Sequence, residues 1–307
     1  MRIAVPDFVS NSYFPAIAAM ELGFFAREGL AVEHELIFPN YKAYEALREG
    51  RIDFVAGPAH VTLKAFPRFE GAKLLAALSQ GIYWLLVLRA DVPAEPGDVR
   101  AVEGRTIGAA PMVELGLRHL LRESGIDLAR VRIVGVPGTE APGVSFGVAA
   151  AKALAEGKID GFWANAMGAE VAIRSGVGKV MLDVRRGLGP ARAFHYTFPA
   201  LVTSERAIVR DRHRIAAGLR AVVAAQAALK ADVSLAARAG QALFPPTEAA
   251  LLTDVIARDL PFYAPHIPKA AVVGLNGFAH ACGLLDRPAP YEDVVATEFS
   301  HLWQSPA

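Results

Sequence analysis

A twelve-residue pattern that occurs twice constrains this chain more than any other feature. The run Glu49-Gly-Arg-Ile-Asp53-Phe-Val-Ala-Gly-Pro-Ala-His60 returns as Glu156-Gly-Lys-Ile-Asp160-Gly-Phe-Trp-Ala-Asn-Ala-Met167. In each copy a helix ends at glycine, a basic residue follows, Ile-Asp opens a strand, and a loop leads into the next helix. Joints of this kind converge on similar sequences in any α/β protein. The other explanation is a common origin of two equivalent α/β lobes. Both copies fall at the same place in their own strand–helix series, which favours the second.

Periodicity supplies the rest of each series. Apolar runs predict strands at residues 3–5, 32–38, 52–56 and 73–78. Between the first two, Phe14, Ile17, Ala18, Leu22 and Phe25 recur at helical spacing, with Ser12 or Asn11 as N-cap and Gly29 as the stop. A short helix is expected at 44–48. Turn formers fill 91–97, and then the alternation restarts. Strands are expected at 106–109, 131–136, 159–163 and 179–183, with helices through Leu117, Leu120 and Leu121 and over 148–156. Such alternation with short connections argues for parallel βαβ units. Beyond Thr203 the chain reads as helical, at 215–229, 235–244, 248–257 and 270–282.

Two extended segments rich in aromatic and β-branched residues, 83–89 and 194–203, bracket the second series. They are read as strands crossing between lobes. The expected fold class is α/β, with two Rossmann-like lobes joined by two crossing strands and a helical C-terminal segment. Residues 1–86 and 201–307 would form lobe I, and residues 87–200 lobe II.

Composition removes several function classes. Thirty-two basic residues against 31 acidic ones leave a net charge of +1, without the basic field that nucleic-acid binders carry. No apolar run reaches the ~20 residues of a membrane span; Arg220 interrupts the one at 215–229. The single cysteine, Cys282, excludes an internal disulfide and any cysteine-built metal site. The eight histidines show no ligand spacing, so neither a metal nor a cofactor is expected. Met1 runs into an apolar strand without a signal-peptide pattern. That leaves two expectations: a periplasmic or otherwise extracytoplasmic protein whose signal was removed, or a cytoplasmic one.

Several stretches together resemble a known family. Ala18-Ala-Met-Glu21-Leu-Gly23-Phe-Phe25-Ala-Arg-Glu28-Gly29-Leu is similar to the first helix of ABC-importer substrate-binding proteins of the nitrate, sulfonate, taurine and thiamin-precursor group. Ala46-Leu-Arg-Glu-Gly50-Arg-Ile-Asp53, Gly104-Arg-Thr-Ile-Gly108 and Leu154-Ala-Glu-Gly-Lys-Ile-Asp160 match in the same order, so the likeness runs from Arg2 to about Trp303. It implies the type II periplasmic binding fold, with a ligand held between two lobes and an ABC permease as partner. The same fold hosts enzymes. One of them, the eukaryotic thiamin-pyrimidine synthase, resembles this chain around both joints. It uses a lysine and a histidine just after the first of these strands, and a cysteine-rich run on the returning strand. Here Gly57 stands at the lysine position, His60 is displaced from the histidine position, and 194–199 holds no cysteine. That chemistry is not expected.

Candidate site residues follow from the rule that open α/β sheets bind ligands beyond the carboxyl ends of their strands. In the first lobe these are Asp7, Phe8, Ser10, Asn11, Tyr13, Tyr41, Gly57, Pro58, His60, Gln80 and Tyr83. In the second they are Pro111, Met112, Glu114, Trp163, Asn165, Met167 and Arg185, with His195 on the returning segment. Trp163 is expected as an aromatic wall, and His60 as a neutral hydrogen-bond donor beside a helix start. Arg185, Arg186 and Arg192 cluster on one loop and read either as a solvated surface or as a clamp for an anion. Gly143-Val-Ser145-Phe-Gly147 matches a nucleophile-elbow pattern but lacks the preceding strand, so Ser145 is read as a helix cap. The leading expectation is an importer's solute-binding protein that closes over a small organic ligand, anionic or heteroaromatic, with no catalytic residue. The alternative is a cytosolic lyase or decarboxylase using Asp7, His60, Glu114 or His195 for acid–base chemistry.

Overall fold

The computed structural model describes residues 1–139 and 144–304; Gly143, the first residue of the elbow-like motif, lies outside them. The strands among them are β1 (Arg2–Val5), β2 (Glu33–Leu36), β3 (Phe54–Pro58), β4 (Ala72–Ala77), β5 (Leu85–Arg89), β6 (Thr106–Ala109), β7 (Arg132–Val134), β8 (Gly161–Ala164), β9 (Gly178–Leu182) and β10 (Pro199–Ser204). They form two sheets of five, in the orders β2-β1-β3-β10-β4 and β7-β6-β8-β5-β9. The two orders are equivalent. Each has four strands that run in one direction, and a fifth, inserted between the third and the edge strand, that runs antiparallel from the segment that arrives from the other lobe. The sheets are therefore mixed where the alternation predicted parallel ones.

The crossings also fall earlier than expected. Leu85 and Leu86 pair with Ala164 and Trp163, so β5 lies wholly in the second sheet. Pro199 and Ala200 pair with Pro58 and Gly57, so β10 lies wholly in the first. The chain passes between the sheets in the irregular segments before these strands.

Helices cover both sheets: α1 (Phe14–Glu21), α2 (Phe24–Arg27), α3 (Tyr41–Glu49), α4 (Thr62–Ala65), α5 (Glu114–Glu123), α6 (Phe146–Ala155) and α7 (Ala166–Arg174), then α8 (Glu205–Arg210), α9 (Arg212–Ala231), α10 (Leu235–Gly240), α11 (Pro246–Asp259), α12 (Lys269–Ala281) and α13 (Tyr291–Val294). The single first helix expected from periodicity is broken. Gly23 takes a left-handed φ of 74° and separates α1 from α2. Tyr13, not Ser12 or Asn11, holds the N-cap of α1, and no side chain caps it.

The longest helix, α9, turns Ile215, Leu219, Val222, Val223 and Leu229 inward against α1 and α2. Burying each such side chain stabilises by roughly 1.5–3 kcal/mol. Arg220, on its outer face, donates to Glu28 at 2.6 Å. The sequence assigns the C-terminal helices to lobe I, and α9 and α10 pack on α1. In addition α11 packs on α7 of the second series, where Arg258 pairs with Glu170 and Arg174 with Asp254.

Candidate functional site

The two sheets present their carboxyl ends to each other, and the lobes are closed. Polar contacts cross the seam at these strand ends. Ser145 Oγ donates to Asp7 Oδ2 at 2.9 Å and lies 3.3 Å from the Val9 carbonyl. Asn165 Nδ2 donates to Ser10 Oγ at 3.3 Å, and the Met167 amide donates to Asn11 Oδ1 at 3.1 Å. His60 Nε2 donates to the Met112 carbonyl at 3.1 Å. Ser145 does sit at the start of α6, but its hydroxyl makes no capping bond there; it reaches across to the other lobe.

Between the lobes, beside these contacts, lies a partly open cavity of about 40 Å³. Its wall is mostly aromatic: Tyr13, Phe38, Tyr83, Trp84, Phe146 and Trp163. Trp84 lies between Tyr83 and Trp163, with ring centroids 4.7 and 6.3 Å away. Polar residues of the wall are Asp7, Ser10, Ser12, Asn40 and Asn165. Three buried polar atoms of wall residues have no hydrogen-bond partner among the described residues: Ser12 Oγ, Asn40 Oδ1 and Trp163 Nε1. Leaving a buried donor or acceptor unmatched costs about 1–3 kcal/mol each.

Among the described residues, Asp7 is the one ionisable carboxylate of this wall. Its Oδ1 accepts the Val9 amide at 2.9 Å and its Oδ2 the Ser145 hydroxyl. Burial raises its pKa to about 6, against the opposing pull of Ser145 and the Val9 and Phe146 amides. Burial likewise pushes the Tyr13 and Tyr83 phenols well up, so both stay protonated, and their hydroxyls lie 3.2 Å apart.

His60 is fully buried and outside the cavity wall. Burial lowers its pKa to about 4, so the ring is neutral at neutral pH. Because a carbonyl can only accept, Nε2 carries the proton toward Met112. Nδ1, 3.0 Å from Thr197 Oγ1, accepts from that hydroxyl. Both nitrogens are occupied by protein partners, which leaves no face for proton transfer to a substrate.

Of the sequence-predicted residues, Asp7, Ser10, Tyr13, Tyr83, Trp163 and Asn165 meet at the cavity. The others lie elsewhere. Asn11 is consumed by Asp259 and the Met167 amide, and Met167 is packed beneath it. Met112 takes a φ of 68° to turn its carbonyl toward His60. Phe8 packs edge-on against His34, and Gln80 donates to the Ala264 and His266 carbonyls. Gly57 and Pro58 lie in β3, where Tyr44 OH donates to the Pro58 carbonyl at 2.6 Å. Tyr41 starts α3, Glu114 starts α5, and Pro111 is exposed. His195 packs edge-on against Phe194.

The arginine cluster is a corrected expectation. Arg185 is buried, 3.8 Å from Asp259, and donates to the Gly81 carbonyl. Arg186 pairs with Asp183 and Asp259, and Arg192 with Glu123. Arg186 and Arg192 are held by this chain's own acids, and Arg185 lies over the Tyr83 ring at 5.7 Å with its Nε unmatched among the described residues; none of the three is on the cavity wall. The lone cysteine is equally remote, half-buried against Leu115, with its thiol pKa pushed up to about 11 by burial.

Sequence reasoning missed Pro6, Ser12, Phe38, Asn40, Trp84, Ala110, Val113, Phe146 and Ala164. Asn40 was within reach of the carboxyl-end rule, since it closes the loop after β2 beside the chosen Tyr41. Trp84 was visible as the second aromatic of Tyr83-Trp84 but was read only as part of a crossing strand.

Several solved structures share the two-lobed fold. A protein of Bordetella bronchiseptica RB50 superposes with a TM-score of 0.78 at 20% identity, over 98% of this chain and 96% of that one. A putative periplasmic sulfonate-binding protein of an ABC transporter, SsuA from Methylobacillus flagellatus KT, gives 0.68 at 18% identity, over 99% and 93%. The desulfurization enzyme DSZB, in complex with biphenyl-2-sulfinic acid, gives 0.67 at 17% identity, over 98% of both chains. No curated protein matches by sequence. Residues 10–232 match the family model described as NMT1/THI5 like, and with most of its length so covered the chain belongs to the NMT1/THI5-like family.

Proposed function

We propose that this protein is the solute-binding component of an ABC importer, which closes its two lobes over a small organic ligand and presents the closed form to a membrane permease. The observation that carries the reading is the aromatic cavity at the seam, with Ser12 Oγ, Asn40 Oδ1 and Trp163 Nε1 buried and unmatched among the described residues. A ligand bearing complementary groups would satisfy these atoms and stack on the rings. The likeness to a putative periplasmic sulfonate-binding protein, SsuA, supports the importer setting, and a place outside the cytoplasmic membrane is part of the same proposal. No helix among the described residues is long and apolar enough to cross a membrane, so contact with the permease would be through the lobe surfaces.

A second reading has a specific basis, because DSZB shares the fold and Asp7 has a pKa of about 6 suited to proton transfer. Against it, no histidine or cysteine lies on the cavity wall among the described residues, and the nitrogens of His60 are taken. One experiment separates the two. The small molecule released from the purified protein is identified by mass spectrometry and added back in excess. Unchanged recovery after hours, with a smaller radius of gyration in solution scattering, is the expected outcome. Steady conversion to a product would overturn the importer reading.

A further inference from the structure

We propose that the interlobe cavity selects a small, flat organic cation carrying N–H donors, such as an amidinium or a protonated amino-heterocycle, and rejects anions. The inference rests on the binding reading above and adds the charge of the ligand. Four observations carry it. Asp7 is a carboxylate on the cavity wall, 8% exposed, and its partners, the Val9 amide and the Ser145 hydroxyl, are uncharged. Among the described residues, the wall contains no lysine, arginine or histidine. Of the guanidinium groups of the neighbouring loop, Arg186 and Arg192 are fixed on Asp183, Asp259 and Glu123, and Arg185 lies 3.8 Å from Asp259 and 5.7 Å over the Tyr83 ring, outside the wall. The aromatic residues Tyr13, Phe38, Trp84, Phe146 and Trp163 surround the same space.

Each observation acts in the same direction. A buried carboxylate without a cationic partner holds its charge against a desolvation penalty, and an incoming cation relieves it. An anion would meet like charge at short range in a poorly screened site. Ring faces attract cations and repel anions, most strongly when both are desolvated. Asp7 and Asn40 Oδ1 accept hydrogen bonds, so donors on the ligand would be matched, while Trp163 Nε1 offers one donor to an acceptor edge. Of the two ligand chemistries read from the sequence, anionic and heteroaromatic, this site suits a nitrogenous ring.

Three probes of nearly one shape test the charge rule: benzamidinium, benzamide and benzoate. Each is titrated into the wild-type protein at neutral pH, followed by calorimetry and by the fluorescence of Trp84 and Trp163. Benzamidinium is expected to bind at least tenfold more tightly than benzamide, and benzoate not measurably. Equal affinity for benzamide and benzamidinium, tighter binding of benzoate, or no binding by any of the three would each overturn the proposal. A preference for benzoate would defeat the charge rule yet leave the binding reading standing. Conversion of a bound natural molecule would instead sink the binder and leave the charge rule untouched. Asp7→Asn should abolish the preference for benzamidinium over benzamide. Ser145→Ala, which removes only the hydroxyl that crosses to Asp7, should keep it. The wild-type probe series decides the matter even if Asp7→Asn fails to fold.

Discussion

The two copies of the repeated joint begin alike and end differently. In the first lobe Gly50 closes α3 at a φ of 77°, and the Arg51 amide donates back to the Ala46 carbonyl. In the second Gly157 closes α6 at 67°, and the Lys158 amide donates to Ala153. Asp53 then bonds the first strand of its sheet twice: its amide donates to the Arg2 carbonyl and its Oδ2 accepts the Arg2 amide, both at 2.9 Å. Asp160 does the same to Thr106, at 2.8 Å in both directions. One residue later the copies part. Phe54 reaches α9, where only a glycine fits: a Cβ on Gly218 would lie 2.5 Å from its ring. Gly161 takes the equivalent place in the second lobe, where a Cβ would lie 2.3 Å from Leu88 Cδ2 and 2.6 Å from the Val87 carbonyl oxygen. At the carboxyl end Ala56 is matched by Trp163, and His60 by Met167. The Ile-Asp opening is a structural device used twice, and the strand ends are free to take different work.

The largest test of this contrast is at Trp163. It is fully buried as well as on the cavity wall, so its truncation removes core packing together with a ring from the site. Trp163→Ala should cost about 3–5 kcal/mol in chemical unfolding, the range for deleting a large buried aromatic. A residue that served only as an aromatic wall, as the sequence alone suggests, would lose affinity with unchanged stability. An unfolding midpoint within error of wild type would restore that simpler picture. Next come the two aspartates. Asp53→Ala and Asp160→Ala should each cost roughly 1.5–3 kcal/mol, the range for a hydrogen bond to a charged group. The equivalence of the joints breaks if one variant is neutral and the other is not. Gly161→Ala follows, at about 1–3 kcal/mol, because the new methyl must push β5 from β8. Its measurement is a thermal melt, and an unshifted midpoint would mean that the strands separate without strain.

These comparisons also show what the sequence could carry. Strand and helix positions were legible because apolar runs, Gly50, Gly157 and the Ile-Asp openings are local signals. Strand direction was not: β5 and β10 have the same apolar pattern whichever way they run, and their antiparallel sense comes from the lobe they leave. The candidate site was legible as a region, through Asp7, Ser10, Tyr13, Tyr83, Trp163 and Asn165. It was not legible as a set of free side chains, because closure uses some of them up. His60, Asn11 and Met112 sit at strand ends as the rule requires, yet each spends its polar atoms on the protein itself. The arginine loop misled for a similar reason. Asp259, its main partner, lies more than seventy residues away in the chain, at the end of α11.

The smallest effect at neutral pH is expected at His60, and there the two joints differ in how they respond to acid. Its counterpart, Met167, does not titrate. His60→Gln keeps an N–H for the Met112 carbonyl and should cost on the order of 1 kcal/mol at pH 7–8. The signature is in the pH dependence. Burial holds the folded imidazole at about 4, below the ordinary 6.5 of the unfolded chain. Between those values the unfolded state binds a proton that the folded state does not, so the His60 contribution is complete above pH 6.5 and is lost as pH falls toward 4. Asp7 works in the opposite sense. Its folded pKa of about 6 exceeds the ordinary 3.8, so its contribution is most favourable below 3.8 and declines as pH rises through 6. In wild type the two trends oppose each other between pH 4 and 6. With glutamine at position 60 only the Asp7 trend remains of this pair, and the variant should gain stability relative to wild type as pH is lowered from 6.5 to 4. Urea unfolding across that interval measures it directly. Parallel pH profiles for the two proteins would mean that His60 is protonated in the folded state, and that the lobes are not joined through a neutral ring.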